Sequence, residues 1–183
     1  RTLSLHLAMT PGIGGKTVNR VAARNALLGR TPEEFLRLSP ESLVEEYRLR
    51  EAVAHAVSRT DLRPTLALES RLESLNVTWV TASEIHYPER LFPFDPDPPG
   101  VLFLYGNVGL LQRATFTVMA SRGGPSPLLD EIERLAEAGV LAGEVLVGGT
   151  GREEYERASV VPLRWGAPRI LAFDQGLFRI LGE

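Results

Sequence analysis

The segment Phe-Thr-Val-Met-Ala-Ser-Arg-Gly-Gly, Phe116 to Gly124, decides the fold that this sequence predicts. Its apolar first half is typical of a buried strand, and its small residues form a turn ahead of a helical stretch. Such a turn lets backbone N–H groups approach an anion, the helix adds the positive end of its dipole, and Arg122 adds a fork of donors. The candidate phosphate-binding residues here are Ser121, Arg122 and Gly123. The alternative is a turn that serves only to reverse the chain.

A second strand-to-helix junction has the same character. Residues 144–147 form a short strand-like run, and Gly-Gly-Thr-Gly-Arg follows at 148–152. The candidate phosphate-binding residues of this junction are Gly148, Gly149, Gly151 and Arg152. Three glutamates between positions 153 and 156 would repel a second phosphate along the same helix. The junction therefore predicts either a single anion contact or a packing turn.

The order of strand-like and helical stretches around these junctions predicts the fold class. Strand-like runs cover residues 77–81, 101–105, 116–120, 144–147 and 170–173, and helical stretches cover residues 128–138 and 153–163. Strands that alternate with helices favour a parallel sheet with right-handed crossovers, and ligands bind beyond the carboxyl ends of such strands. The prediction is an α/β protein in which residues 77–183 form a Rossmann-like parallel-sheet domain. The proline-rich stretch 92–100 predicts a loop without helix.

Residues 1–76 predict a small helical module, SAM-like or helix-hairpin-helix-like, ahead of that domain. Within it, Thr31-Pro32-Glu33-Glu34 predicts a capping box at a helix start. The turn Pro-Gly-Ile-Gly-Gly-Lys at 11–16 would expose N–H groups to a DNA phosphate. The candidate phosphate-binding residues of this turn are Gly12, Gly14, Lys16 and Arg20. Residues 1–30 hold five basic and no acidic residues, which supports this interpretation; a turn used only for packing is the alternative.

Composition limits the functions open to the chain. Its 183 residues are 44% apolar and 23% charged with a net charge of −3, as in ordinary soluble globular proteins. The absence of cysteine excludes disulfides and a thiol nucleophile, and three scattered histidines do not suggest a zinc site, so no metal or cofactor is expected. Asp95, Asp97 and Asp174 could pair for acid–base chemistry, but solvated loop positions explain them better. Without a membrane-spanning apolar run or a signal-peptide pattern, we expect a cytoplasmic protein with no membrane contact.

In chain order, these segments resemble the DNA-processing protein A (DprA/Smf) family. Leu5 to Gly14 is similar to the family's leucine-rich helix and Pro-Gly-Ile-Gly turn. Tyr87 to Leu91 and Pro99 to Gly106 resemble its Tyr-Pro-x-x-Leu and Pro-x-x-Leu-(Tyr/Phe)-x-x-Gly segments. Ala120 to Arg122 resembles its Gly-(Ser/Thr)-Arg motif. The resemblance extends from Leu3 to Leu177.

The resemblance implies single-stranded DNA as the ligand, a recombinase as the partner during transformation, and no catalysis. A homodimer is a further assembly that it leaves open. The family's Ser-Gly-x-Ala-x-Gly-Ile-Asp-x-x-x-His segment falls on Gly148 to Ser159, where Gly149 alone keeps its place and Tyr155 stands at the aspartate position. Family members continue beyond the position of Glu183, so the sequence is expected to be a shortened, divergent relative or a fragment.

The second glycine-rich junction also resembles a loop of the LOG-type nucleoside-monophosphate phosphoribohydrolases, Pro-Gly-Gly-x-Gly-Thr-x-x-Glu. Val147 to Tyr155 covers this loop, and Tyr155 stands where the catalytic glutamate of that class would be. Glu154 lies one position away, which on a helix turns the side chain by about 100°. The predicted function is therefore single-stranded DNA binding through backbone phosphates. A LOG-like nucleotide-binding protein or hydrolase and a degenerate protein-interaction scaffold are the alternatives.

Overall fold

The computed structural model describes residues 1–120 and 126–182, and the chain consists of two compact units. The first unit is Arg1–Val108 and the second is Gly109–Glu183. Helices dominate the first unit, whereas the second combines a parallel sheet with helices.

The first unit begins with short helices and ends with a pair of strands. Its elements are α1 (Thr2–Met9), α2 (Gly15–Leu27), α3 (Pro32–Leu36), α4 (Pro40–Tyr47), α5 (Glu51–Val57), α6 (Arg63–Ser74), β1 (Val77–Thr81), α7 (Leu91–Phe94) and β2 (Val101–Tyr105). The capping box predicted at the start of α3 is confirmed. Thr31 Oγ1 accepts the Glu34 N–H at 3.2 Å, and the Glu34 carboxylate accepts the Thr31 N–H at 2.8 Å. Ser39 caps α4 through its hydroxyl, so side-chain caps fix where both helices begin.

The strands of the first unit pair with each other and pack with its helices. β1 and β2 are antiparallel, with Trp79 opposite Phe103. β1 contacts α6 and β2 contacts α1, so the strand pair belongs to the helical unit. The sequence predicts a division between residues 76 and 77 and assigns both strands to the parallel-sheet domain. The difference arises because an apolar run predicts a strand without specifying its partner or direction.

The proline-rich stretch 92–100 is not loop throughout, because the helical turn α7 contains Pro93. The prediction of a loop without helix is wrong at this point. The first turn of a helix leaves its N–H groups without intrahelical partners, so a proline there removes no helical hydrogen bond.

The core of the first unit forms where these helices meet. Phe35 and Tyr47 contact each other edge to face, with ring centroids 4.9 Å apart. The Tyr47 hydroxyl donates to Asn25 Oδ1 at 2.8 Å. The Arg20 guanidinium donates to the carbonyls of Tyr47 and Arg48, so it satisfies the carboxyl end of α4. Further buried members of this core are Leu7, Val18, Val21, Leu43 and Ala54.

The second unit has the predicted α/β arrangement. Its elements are β3 (Thr115–Phe116), α8 (Ser126–Leu141), β4 (Val145–Gly148), α9 (Glu153–Arg164), β5 (Arg169–Leu171) and α10 (Leu177–Ile180). β4 pairs parallel with β3 on one side and with β5 on the other, which confirms the predicted parallel sheet. α8 and α9 pack against each other and against β4. Within residues 1–120 and 126–182, no helix is long and apolar enough to cross a membrane.

His6 is buried in α1, and both of its ring nitrogens make hydrogen bonds. Nδ1 lies 2.8 Å from Thr65 Oγ1, and Nε2 lies 2.7 Å from Thr60 Oγ1. The Thr60 hydroxyl already donates to the Val57 carbonyl at 2.6 Å, so it accepts the Nε2 proton and leaves Nδ1 as an acceptor. Burial lowers the pKa of His6, and the charge of Asp61 opposes this with a smaller effect.

The first unit should therefore lose stability as the pH falls below about 6.5. Because the pKa of His6 is lower in the folded state, the unfolded chain binds the proton first and the free energy of unfolding decreases. Urea unfolding of Trp165→Phe, followed by the fluorescence of Trp79 in the first unit, measures this between about pH 8 and pH 5.5. His6→Gln should flatten the dependence, whereas His55→Gln should retain it. The same pH dependence in both variants would contradict the assignment to His6.

Candidate nucleic-acid interface

The carboxyl ends of β3, β4 and β5 lie at one edge of the parallel sheet, because β4 pairs parallel with both neighbours. We define the sheet edge as the described residues that follow the three strands, namely 117–120, 149–152 and 172–176. The predicted junction at 148–152 leaves the sheet at the end of its central strand. The predicted phosphate ligands Ser121, Arg122 and Gly123 lie outside the described residues, so their assignment stays a prediction.

The glycines shape the loop that follows β4. The Gly148 carbonyl accepts the Ala172 N–H at 2.8 Å, which fastens the start of the loop to the end of β5. A Cβ on Gly149 would lie 2.8 Å from the ring of Tyr155, so glycine lets this ring pack on the backbone. Gly151 has a φ of +75°, a left-handed conformation that glycine adopts without strain. The loop therefore leaves bare backbone at Gly151, beside the amino end of α9, where N–H groups can bind an anion, whereas the Tyr155 ring covers one side of Gly149.

Arg152 stands at the amino end of α9, and 37% of its side chain is exposed. Its carbonyl accepts the N–H groups of Tyr155 and Glu156 at 3.1 and 3.0 Å, which starts the helix. Its guanidinium lies over the Tyr155 ring, 5.4 Å from the centroid, and its Nη1 lies 3.8 Å from Glu154 Oε1. These contacts hold the cation beside the glycine loop and leave part of it open to solvent.

Glu154, the second residue of α9, is 7% exposed. Among the side chains that the structure describes, its Oε1 is the buried oxygen without a hydrogen bond. An unpaired buried polar atom costs about 1–3 kcal/mol, and native proteins keep few of them. Arg152 offsets part of this cost through its charge. From the sequence, Glu154 is one of three glutamates that would repel a second phosphate, and it lies one position from the catalytic position of the LOG-like loop. The run Glu-Glu-Tyr-Glu does not reveal that Glu154 is the buried carboxylate.

The predicted phosphate site at the start of α2 has a different arrangement. Gly12 has a φ of +83° and Gly14 is the N-cap, as expected for a tight turn before a helix. The Lys16 N–H donates to Asp97 Oδ1 at 2.6 Å. Arg20 donates to the carbonyls at the end of α4. The Lys16 N–H and the Arg20 guanidinium are thus engaged in internal contacts, while the Lys16 residue itself is exposed. The assignment of this turn to phosphate binding stays a prediction.

Asp97, which contacts this turn from a distant loop, is a partner that the sequence patterns do not reveal. Its position in a proline-rich loop predicts a solvated carboxylate, and the residue is indeed exposed. Its contact with the Lys16 N–H, however, joins positions 81 residues apart. No local pattern reports a contact at that separation.

No family model matches this chain, and no curated protein matches it. Among solved structures, its fold is similar to the X-ray structure of DNA processing protein A (DprA) from Streptococcus pneumoniae. The TM-score is 0.71, the sequence identity is 18%, and the match covers 97% of this chain and 59% of that chain. The chain thus spans less than two-thirds of the protein that it matches. At this identity the likeness shows the fold, and the chain has the DprA-like α/β fold that its sequence motifs imply.

Proposed function

We propose that this chain binds the phosphate backbone of single-stranded DNA at the sheet edge and catalyses no reaction there. The observation that carries the proposal is the likeness in fold, over 97% of the chain, to a protein named for DNA processing. The sheet edge is also where open parallel sheets bind ligands, beyond the carboxyl ends of their strands. A role in recombination or transformation, with a recombinase as partner, belongs to the same proposal, as does a homodimer.

The contacts that support phosphate binding are those of the loop 149–152. Gly151, which has open space where a Cβ would lie, presents backbone without a side chain at the amino end of α9, a helix of 12 residues. Arg152 adds a partly exposed cation at the same place. Backbone N–H groups and arginine contact phosphate without reading the base. Binding is therefore expected for single strands of any sequence.

Acidic residues limit how much phosphate this loop can hold. The first turn of α9 carries Glu153, Glu154 and Glu156. Carboxylates at a helix amino end stabilise the helix but repel a second anion. The loop is therefore suited to one phosphate, and a further contact falls to Arg122, as the sequence predicts.

The log of the affinity for a labelled single-stranded oligonucleotide should fall linearly with the log of the salt concentration, with a slope of about −0.7 per phosphate neutralised. Arg152→Ala should weaken binding to different sequences alike and flatten the slope by about 0.7, because it removes one phosphate contact. Arg122→Ala should have the same effect. Fluorescence anisotropy over a series of salt concentrations measures affinity and slope.

Arg59→Ala is the matched control, since Arg59 is an exposed arginine of the first unit, and it should change neither affinity nor slope. An Arg152→Ala protein with the wild-type slope and affinity would exclude this arginine from the interface. A wild-type protein that binds no single-stranded DNA at low salt would overturn the proposal and favour a protein-interaction scaffold.

A LOG-like nucleotide hydrolase is the second candidate, and Glu154 is the observation that favours it. Such an enzyme needs a carboxylate near the bound phosphate to assist departure of the base. Glu154 Oε1 lies 3.8 Å from Arg152 and has no hydrogen bond to the described part of the chain. Against this candidate, Glu154 is buried, and the LOG-like loop assigns its catalytic position to Tyr155, whose ring packs on Gly149.

We expect no release of free adenine from adenosine monophosphate, because a phenol takes the place of the catalytic carboxylate. Long incubations at high protein concentration, analysed by chromatography, provide the measurement. Glu153→Gln is the control, since Glu153 is the exposed neighbour of Glu154. Steady adenine release that Glu154→Gln abolishes and Glu153→Gln preserves would establish the hydrolase instead.

A further inference from the structure

Residues 95–100, which we call the strap, lie against the amino end of α2. The Asn19 side-chain amide donates to the Pro98 carbonyl at 3.4 Å, and the Tyr87 hydroxyl donates to the Pro99 carbonyl at 2.5 Å. Tyr87 is buried, and burial raises its pKa, so the phenol retains the proton that it donates. Neutral hydrogen bonds thus hold the proline carbonyls of the strap in place.

Glycines allow the strap to approach α2 closely. A Cβ on Gly15 would lie 2.0 Å from the Pro98 carbonyl oxygen, so any side chain at this position would collide with backbone. A Cβ on Gly100 would lie 2.5 Å from the side chain of Val18, which is itself buried in the core. Glycine at positions 15 and 100 is therefore explained by contact between two segments of this chain.

Asp97 completes the contact between the strap and α2. Its Oδ1 accepts the Lys16 N–H at 2.6 Å, and its Oδ2 would lie 2.7 Å from a Cβ on Gly14. Its own N–H donates to Asp95 Oδ1 at 2.9 Å, which orients this part of the strap. A helix amino end alone does not indicate what binds there. Here the carboxylate of Asp97, 81 positions away in the sequence, accepts a hydrogen bond from the Lys16 N–H.

We infer that Asp97 is the resident anion of the turn at 12–16, where its carboxylate caps α2 and closes the turn to phosphate. α2 has no capping side chain at Gly14 and no acidic residue in its first turn. An N-cap carboxylate normally accepts the N–H of the second or third helical residue, and Lys16 is the second. Asp97, although distant in the sequence, therefore accepts the N–H that an N-cap side chain accepts in other helices. This concerns the first unit alone and does not depend on DNA binding at the sheet edge.

A free phosphate competes poorly with a carboxylate that the same chain supplies. Flexible tethers give effective concentrations of the order of millimolar, and a tether whose geometry matches the site gives the highest values. The strap is such a tether, because contacts at Pro98 and Pro99 already place Asp97 on α2. Asp97 and Lys16 are both exposed, so removal of the carboxylate opens the turn without uncovering the core.

Amide exchange and a phosphate titration, both followed by NMR on the full chain, test the inference. Asp97→Ala removes the carboxylate, and Glu89→Ala is the control that removes another exposed negative charge from the same unit. In Asp97→Ala, hydrogen exchange at the Lys16 N–H should quicken about tenfold or more, the factor expected when a hydrogen bond to a charged group is lost. The chemical shift of its Lys16 amide should then change as inorganic phosphate is added, at concentrations that leave this amide unchanged in the wild-type and Glu89→Ala proteins.

Three results would overturn the inference: unchanged Lys16 exchange in Asp97→Ala, no response of its Lys16 amide to phosphate, or a response in the wild-type protein at the same concentrations. Should Asp97→Ala fail to fold, Asp97→Asn replaces it, because the amide keeps an oxygen acceptor and loses the charge. Asp97→Asn should show the same changes at a smaller size. Behaviour of Asp97→Asn indistinguishable from wild type would equally overturn the inference.

Discussion

The parallel pairing of β4 with both of its neighbours is the constraint on which the candidate interface depends. β4 is buried at Val145 and Leu146 and lies between β3 and β5, so its carboxyl end lies beside theirs. Every loop that follows a strand of this sheet therefore leaves at the same edge. This pairing places the glycine loop at 148–151 and Arg152 at the edge where open parallel sheets bind ligands.

Among the described residues, the turns at 12–16 and 148–152 both combine glycines with a basic residue, and they differ in how the polar groups beside them are bonded. At 12–16, the amide of Lys16 is bonded to Asp97 from a distant segment. At 148–152, the nearby carboxylate of Glu154 comes from the following helix, and its Oε1 has no hydrogen bond within the described chain. The Lys16 amide of the first turn thus has an internal acceptor, whereas the unbonded atom beside the second turn is itself an acceptor. A glycine-rich turn before a helix predicts an anion, but the sequence does not tell whether that anion is a ligand or a side chain.

The sequence predicts the elements whose cause is local. The capping box of Thr31 and Glu34 and the strand–helix alternation around β4 depend on residues close together in the chain, and both are confirmed. The antiparallel pairing of β1 with β2 depends on a partner that an apolar pattern does not identify. Arg20 shows the same limit for the candidate site. A basic residue near a glycine turn predicts a phosphate ligand, yet its guanidinium is bound by two carbonyls that packing brings close.

On this account, nucleic acid binds at the sheet edge and not at the amino end of α2. Mapping the backbone amide resonances of the wild-type protein during titration with a single-stranded oligodeoxynucleotide tests it most directly. If the claim holds, the amides of Gly149, Gly151 and Arg152 shift as the oligonucleotide binds, while the Lys16 amide keeps its position. A shift at Lys16, or the absence of any shift in the loop 149–152 on binding, would contradict it.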